Sequence, residues 1–260
     1  MECLQKSLPL IYAFQLTLLI MLEDGTLLDI IRLAIGTIIL LYASISDLKT
    51  RKASNMLWII MGSVGVILLV IQYFTIGIEN PLYLVFVPFM IALMYILFHV
   101  KLIFGGADAK ALMALAILVP LKPAILNYPI WESYMPFPWI IFANSVILFL
   151  FIPLSLLIYN ITKRNVTFPH CLIGYKMSIE KAKEKFVWPL EKIVDGKRKL
   201  SLMPDDYDAD EKIEAFEKQG IKEIWITPKI PFMIPLLAGF LTSFFLGDII
   251  SAIIFSFTGL

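Results

Sequence analysis

Long apolar stretches separated by short polar breaks organise this chain, at about residues 7–22, 28–47, 55–78, 81–100, 107–121, 137–160 and 229–259. A helix needs roughly 20 mostly apolar residues to cross a hydrocarbon core about 30 Å thick, so most of these stretches are long enough to span a bilayer. The first is short and contains Gln15 and Thr17. It lacks a small-residue cleavage site and is followed by Glu23, Asp24 and Gly25, which favours a retained helix over a removed signal segment. The fifth is closed by Pro120 and Pro123.

Between 161 and 228 the pattern changes. This insert carries 13 basic and 12 acidic residues. Residues 209–219 have the spacing of a short amphipathic helix, and Glu223-Ile224-Trp225-Ile226-Thr227-Pro228 that of a strand ended by proline. Met203-Pro204-Asp205-Asp206-Tyr207-Asp208 is expected to be an exposed turn. The predicted fold is therefore an all-α polytopic membrane protein with six or seven transmembrane helices and a small α+β cytoplasmic domain inserted before the last helix. Its parts are an added N-terminal segment (1–27), membrane helices (28–160), the soluble domain (161–228) and a last transmembrane helix (229–260).

Composition agrees with this division. The chain is 59% apolar and 17% charged, and its mean hydropathy is +0.83, whereas soluble domains carry about 25% charged residues. A net charge of +1 with no basic stripe gives no reason to expect a nucleic-acid partner. Two cysteines, Cys3 and Cys171, cannot build a disulfide framework or a zinc ribbon. Orientation follows the basic residues. Lys49, Arg51 and Lys52 end the second stretch and Asp29 opens it, so its C-terminal end is expected in the cytoplasm, together with the loop around Lys101 and Lys110 and the insert.

Ionisable residues inside or at the ends of apolar segments are costly, which makes them functional candidates. Asp47 ends the second stretch in Ser44-Ile45-Ser46-Asp47-Leu48-Lys49, and Asp108 opens the fifth in Phe104-Gly105-Gly106-Ala107-Asp108-Ala109-Lys110. Both fall at the expected cytoplasmic edge, on different helices. Gly36, Leu40, Ala43 and Ser44 share a face with Asp47, and Ala107, Ala111 and Ala114 line the other helix. Small residues of this kind let helix backbones approach closely in lipid. Lys49 and Lys110 are expected to anchor helix ends at the headgroups or to support the pair.

Other polar positions have weaker claims. Asp29 and Arg32 are placed to pair, and His99 lies at a segment boundary. Asp248, after Gly247, suits a local turn or polar packing. Trp58, Trp131, Trp139 and Trp225 suit interface anchors. No cluster has metal-ligand spacing, so no metal is expected. A transporter or scaffold using the aspartates for protons or cations is the competing class, but no internal repeat supports it.

The contexts of Asp47 and of Gly105-Gly106-Ala107-Asp108-Ala109-Lys110 resemble the two motifs of the type IV prepilin peptidases, the G-x-G-D membrane aspartyl proteases. A soluble domain before a last helix is similar to the archaeal branch, the preflagellin and prepilin peptidases. The similarity covers roughly residues 28–250. Ala107 stands where the bacterial pattern has glycine, and the bacterial zinc-binding cysteine pairs have no counterpart. The resemblance implies an aspartic endopeptidase with Asp47 and Asp108 catalytic, Gly105, Gly106, Ala107, Lys49 and Lys110 in support, and no cofactor. It would remove the short basic class III signal peptide of an archaellin or pilin precursor at the cytoplasmic face of the cell membrane.

Overall fold

The computed structural model describes residues 25–258, except 51, 101, 103–104, 124, 126–127, 186, 195, 202–208 and 229–230. The stretch 7–22, Cys3 and the expected turn at 203–208 lie outside the described residues. Two compact units result, residues 1–148 with 231–260, and residues 149–230.

The first unit is helical. Helices α1 (Thr26–Thr50) and α2 (Asn55–Thr75) are followed by a 3-10 turn, Pro81–Val85, that runs into α3 (Phe86–His99). A short helix, α4 (Gly106–Leu118), and the long α5 (Phe137–Thr162), which continues into the second unit, complete the first half of the chain. Four of these elements are long and apolar enough to cross a membrane: Thr26–Thr50, Asn55–Thr75, Pro81–His99 and Phe137–Thr162. At about 1.5 Å per residue, the shortest of them approaches the roughly 30 Å of hydrocarbon. Large apolar side chains such as Ile38, Ile59, Phe74, Phe89 and Phe151 point outward, as they do where lipid replaces water around a helix. The protein is a membrane protein.

The helices meet where small residues remove side-chain bulk. A β-carbon on Gly65 of α2 would lie 2.6 Å from Leu118 Cα and 2.7 Å from the Ile117 carbonyl oxygen, so α2 and α4 touch backbone to backbone. Arg32, only 2% exposed, joins α1 to α2. Its guanidinium donates to Asp29 Oδ1 and to Gln72 Oε1, each at 2.8 Å. The expected Asp29–Arg32 pair is therefore present, with a third member from the next helix.

The last apolar stretch is not one helix. It forms α6 (Met233–Phe245) and α7 (Ile249–Thr258) in the numbering of this unit, broken at Gly247 and Asp248. Gly247 has φ +98°, a conformation that glycine adopts without steric cost. Buried Asn144 of α5 satisfies the interrupted backbone, donating to the Gly247 carbonyl at 2.7 Å and to Ser243 Oγ at 2.9 Å while accepting from Ile249 N at 3.1 Å. Asp248 accepts from Ser133, Ser251 and Ile250 N, so it serves a local turn and polar packing, as its setting beside Gly247 implied.

The second unit is α+β. A three-stranded antiparallel sheet has the central strand Glu223–Pro228, flanked by Tyr175–Ser178 and Val187–Pro189. A separate hairpin pairs Glu191–Val194 with Lys197–Leu200, and Gly196 just before its second strand takes φ +71°. The helix Ala209–Lys218 buries Ile213 and Phe216 among Met177, Val187, Ile224 and Ile226. Both the amphipathic helix and the proline-ended strand thus form where the sequence placed them.

Two tryptophans depart from expectation. Trp58 is 5% and Trp225 4% exposed; they are core residues rather than interface anchors. Trp58 belongs to the apolar core of the first unit, and Trp225 packs with Cys171 and Leu190 in the second. Trp131 is exposed and Trp139 half-buried.

Candidate active site

Asp47 lies one turn from the end of α1. Its helix face, read from Gly36 through Leu40, Ala43 and Ser44, is buried, and α6 packs along it. A β-carbon on Gly36 would sit 2.8 Å from Phe240 Cε1 and 3.2 Å from Leu118 Cδ2. Further along the same face, Ser44 Oγ donates to the Met233 carbonyl at 3.1 Å. Asp47 itself is half-buried, beyond this packed region.

The connection after Asp47 is held by its own hydroxyls. Ser46 Oγ donates to the Lys52 carbonyl at 2.9 Å, and Thr50 Oγ1 to the Ser46 carbonyl at 2.9 Å. Ser54 then caps α2, its hydroxyl accepting from Met56 N at 3.3 Å. Lys49, in the last turn of α1, is exposed, and its charge suits the negative end of that helix.

Asp108 stands in the first turn of α4, half-buried, after Gly105 at the cap position. Its carboxyl folds back over Gly105, where a β-carbon would come within 2.8 Å of Asp108 Cγ. A β-carbon on Gly106 would meet the Phe98 ring at 3.3 Å, so α3 closes the other side. Ala107 is half-buried and packs against the apolar core. The fit is closest at Gly105, against the carboxyl, and tight at Gly106, against the Phe98 ring of the neighbouring helix.

Asp47 and Asp108 stand on two helices, α1 and α4, that pack against one another, and the negative charge of Asp47 acts on the Asp108 carboxyl. Two nearby carboxylates resist simultaneous ionisation, which is the arrangement that lets one act as base while the other holds a proton. Lys110 points elsewhere, its Nζ donating to Asn55 Oδ1 at 2.9 Å. Sequence reasoning did not single out Asn55. The only local hint was its place beside Ser54, a capping residue that starts a helix.

The two histidines make other contacts. His99 is exposed, with Nδ1 3.0 Å from the Tyr95 carbonyl oxygen. His170, in the second unit, stands 3.9 Å from Glu191, which also meets Arg198 at 3.5 Å. Among the described residues no three His, Cys, Asp or Glu side chains converge as a metal site would require.

Comparison with known proteins gives the family. Residues 34–161, which contain both aspartates, match the type IV leader peptidase family. Residues 167–249 match the archaeal peptidase A24 C-terminus, type II. The preflagellin peptidase of Methanococcus voltae is 31% identical over 238 residues, covering 85% of this chain and 97% of that protein. That of Methanocaldococcus jannaschii is 31% identical over 251 residues, 88% of this chain and 100% of the relative. That of Methanococcus maripaludis is 29% identical over 232 residues, 82% and 94% of the two chains. With both halves matched and relatives covered almost end to end, this chain is a peptidase that belongs to the type IV leader peptidase family.

Proposed function

We propose that the protein is an aspartic endopeptidase that removes the short basic signal peptide from a preflagellin or related pilin precursor, with Asp47 and Asp108 as the catalytic pair. The observation that supports this reading is that Asp47 near the end of α1 and Asp108 in the first turn of α4 stand on two helices that pack against each other. The relatives' name supplies the substrate class. The orientation rests on Lys49, Arg51 and Lys52; it puts the pair at the cytoplasmic face, where a basic leader ahead of a hydrophobic helix would wait.

In the proposed reaction the ionised carboxylate takes a proton from water as the water oxygen attacks the scissile carbonyl carbon. The protonated partner gives its proton to the carbonyl oxygen, producing a tetrahedral diol. Collapse re-forms the carbonyl and breaks the C–N bond. The nitrogen leaves with the proton first taken from water, and the diol proton returns to the second carboxylate. Both groups end as they began, so no cofactor is consumed.

The test is cleavage of a leader-bearing precursor by the purified protein. Asp47→Asn and Asp108→Asn should each abolish it while leaving the protein inserted in the membrane. The double variant should be no worse than either single one, since residues that act as a unit are non-additive. Cleavage by either single variant within about tenfold of wild type, about 1.4 kcal/mol of barrier, would sink the assignment. Ion uptake without cleavage would point to a transporter instead.

A further inference from the structure

The second unit begins inside a membrane helix. At about 1.5 Å per residue, the 26 residues of α5 span about 39 Å, more than the roughly 30 Å of hydrocarbon, so the end of α5 reaches the headgroup layer. Leu150, Phe151, Leu154, Ile158 and Ile161 of its second half are exposed. The chain then passes through Lys163 and Arg164, both exposed, to Val166 and Phe168, which are 60% and 77% exposed. Cations beside large exposed apolar side chains suit the boundary between headgroups and acyl chains.

The hairpin of Glu191–Val194 and Lys197–Leu200 is held beside this end. Asn160, in the last turn of α5, is fully buried and donates to the Cys171 and Gly174 carbonyls at 3.0 and 2.7 Å. His170 stands 3.9 Å from Glu191, the first residue of the hairpin. Leu200, paired with Glu191 at the hairpin's base, packs on the same apolar cluster as Leu157 of α5.

The two faces of the hairpin differ in charge. Residues opposite one another in an antiparallel pair project to the same side, and successive residues alternate. Glu191, Ile193, Arg198 and Leu200 therefore share one face, and it is turned inward: Ile193 and Leu200 pack on apolar clusters, while Arg198 meets Glu191 and the Phe216 ring. Lys192, Val194, Lys197 and Lys199 share the other. Lys192 lies directly across from Lys199, a pairing of like charges that is unfavourable by itself. The single carboxylate of the two strands, Glu191, is on the inward face. Among the described residues none of the three lysines is ion-paired.

We infer that the lysine face of the hairpin docks on anionic lipid headgroups of the adjoining leaflet and so holds the second unit against the bilayer. Charge complementarity selects an anionic surface. Continuity with the lipid-facing side of α5, through Lys163, Arg164 and Phe168, selects lipid over a soluble acidic partner. A basic leader would be repelled by this face, so the surface is distinct from one that holds the precursor.

The test uses the full chain, with Cys3 and Cys171 replaced, in nanodiscs whose two leaflets have the same composition. A fluorophore on Val194→Cys, within the lysine face, reports its closeness to a quencher attached to lipid headgroups. Quenching should be at least about threefold greater in discs containing about one third phosphatidylglycerol than in discs of phosphatidylcholine alone. It should fall to the phosphatidylcholine level at about 1 M salt, where the screening length is about 3 Å. Lys192→Gln, Lys197→Gln and Lys199→Gln together should abolish the difference and, being exposed substitutions, leave the melting temperature unchanged. Equal quenching in the two kinds of disc, a difference that survives the three substitutions, or one that persists in high salt would overturn the inference. The salt series needs no lysine substitution, so it decides the matter even where the triple variant folds poorly. No precursor takes part, and failure of the peptidase reading leaves the result intact.

Discussion

The carboxyl of Asp108 lies against the α-carbon side of Gly105, so close that a β-carbon at position 105 would come within 2.8 Å of Asp108 Cγ. Glycine is needed there by contact, since its backbone lies in the extended region open to any residue. Gly105→Ala should push the carboxyl out of its position and reduce precursor cleavage by at least about tenfold, the effect of about 1.4 kcal/mol on the barrier. Membrane insertion and helix content should be unchanged. Cleavage at the wild-type rate in Gly105→Ala would mean that the carboxyl works from another rotamer.

The Arg32–Asp29–Gln72 group tests the packing of α1 on α2. Arg32 is buried with its charge matched by Asp29 at 2.8 Å. Asp29→Ala alone should destabilise the protein by about 3–5 kcal/mol, because it leaves a buried guanidinium without its carboxylate. Replacing both, Asp29→Leu with Arg32→Met, should recover most of that loss. Thermal unfolding in detergent measures both; equal destabilisation by the single and double changes would contradict this account.

Asn144 tests the broken C-terminal segment. Asn144→Leu leaves the Gly247 carbonyl and the Ile249 amide without the bonds they now have. A buried group left unpaired costs about 1–3 kcal/mol. The variant should melt earlier, and protease should cut near residues 246–249 more readily than in wild type. Wild-type stability would show that the break needs no support from α5.

Orientation is open to labelling. In a protein with Cys3 and Cys171 replaced, a cysteine at Lys181, exposed in the second unit, should react only with reagents that reach the cytoplasm. One at Tyr134, 89% exposed, should react from outside. Reversed labelling would put the aspartates at the face opposite a cytoplasmic leader.

Local order in the chain was enough to find the four long apolar helices, the charged insert, its strand at 223–228 and its amphipathic helix, but not the break at Gly247 and Asp248 in the last apolar stretch. Each depends on a run or a period contained within the element itself. The same holds for Asp29 with Arg32, one helical turn apart; the cost of a charge in an apolar setting singles out Asp47 and Asp108 one by one as candidates. What tertiary structure decided is which polar groups from distant segments meet. Gln72 joins Arg32 across 40 residues, Lys110 reaches Asn55 across 55, and Asn144 reaches Gly247 across 103. Tertiary structure also decided which apolar side chains face protein and which face outward. Trp58 and Phe74 share α2 and a similar apolar character, yet one is 5% and the other 79% exposed. In a segment that is apolar on every side, hydrophobicity does not distinguish a neighbouring helix from lipid. That choice is made by shape, where Gly65 lets the backbone of α4 approach α2, and by the few polar bonds that can be made once the helices are side by side.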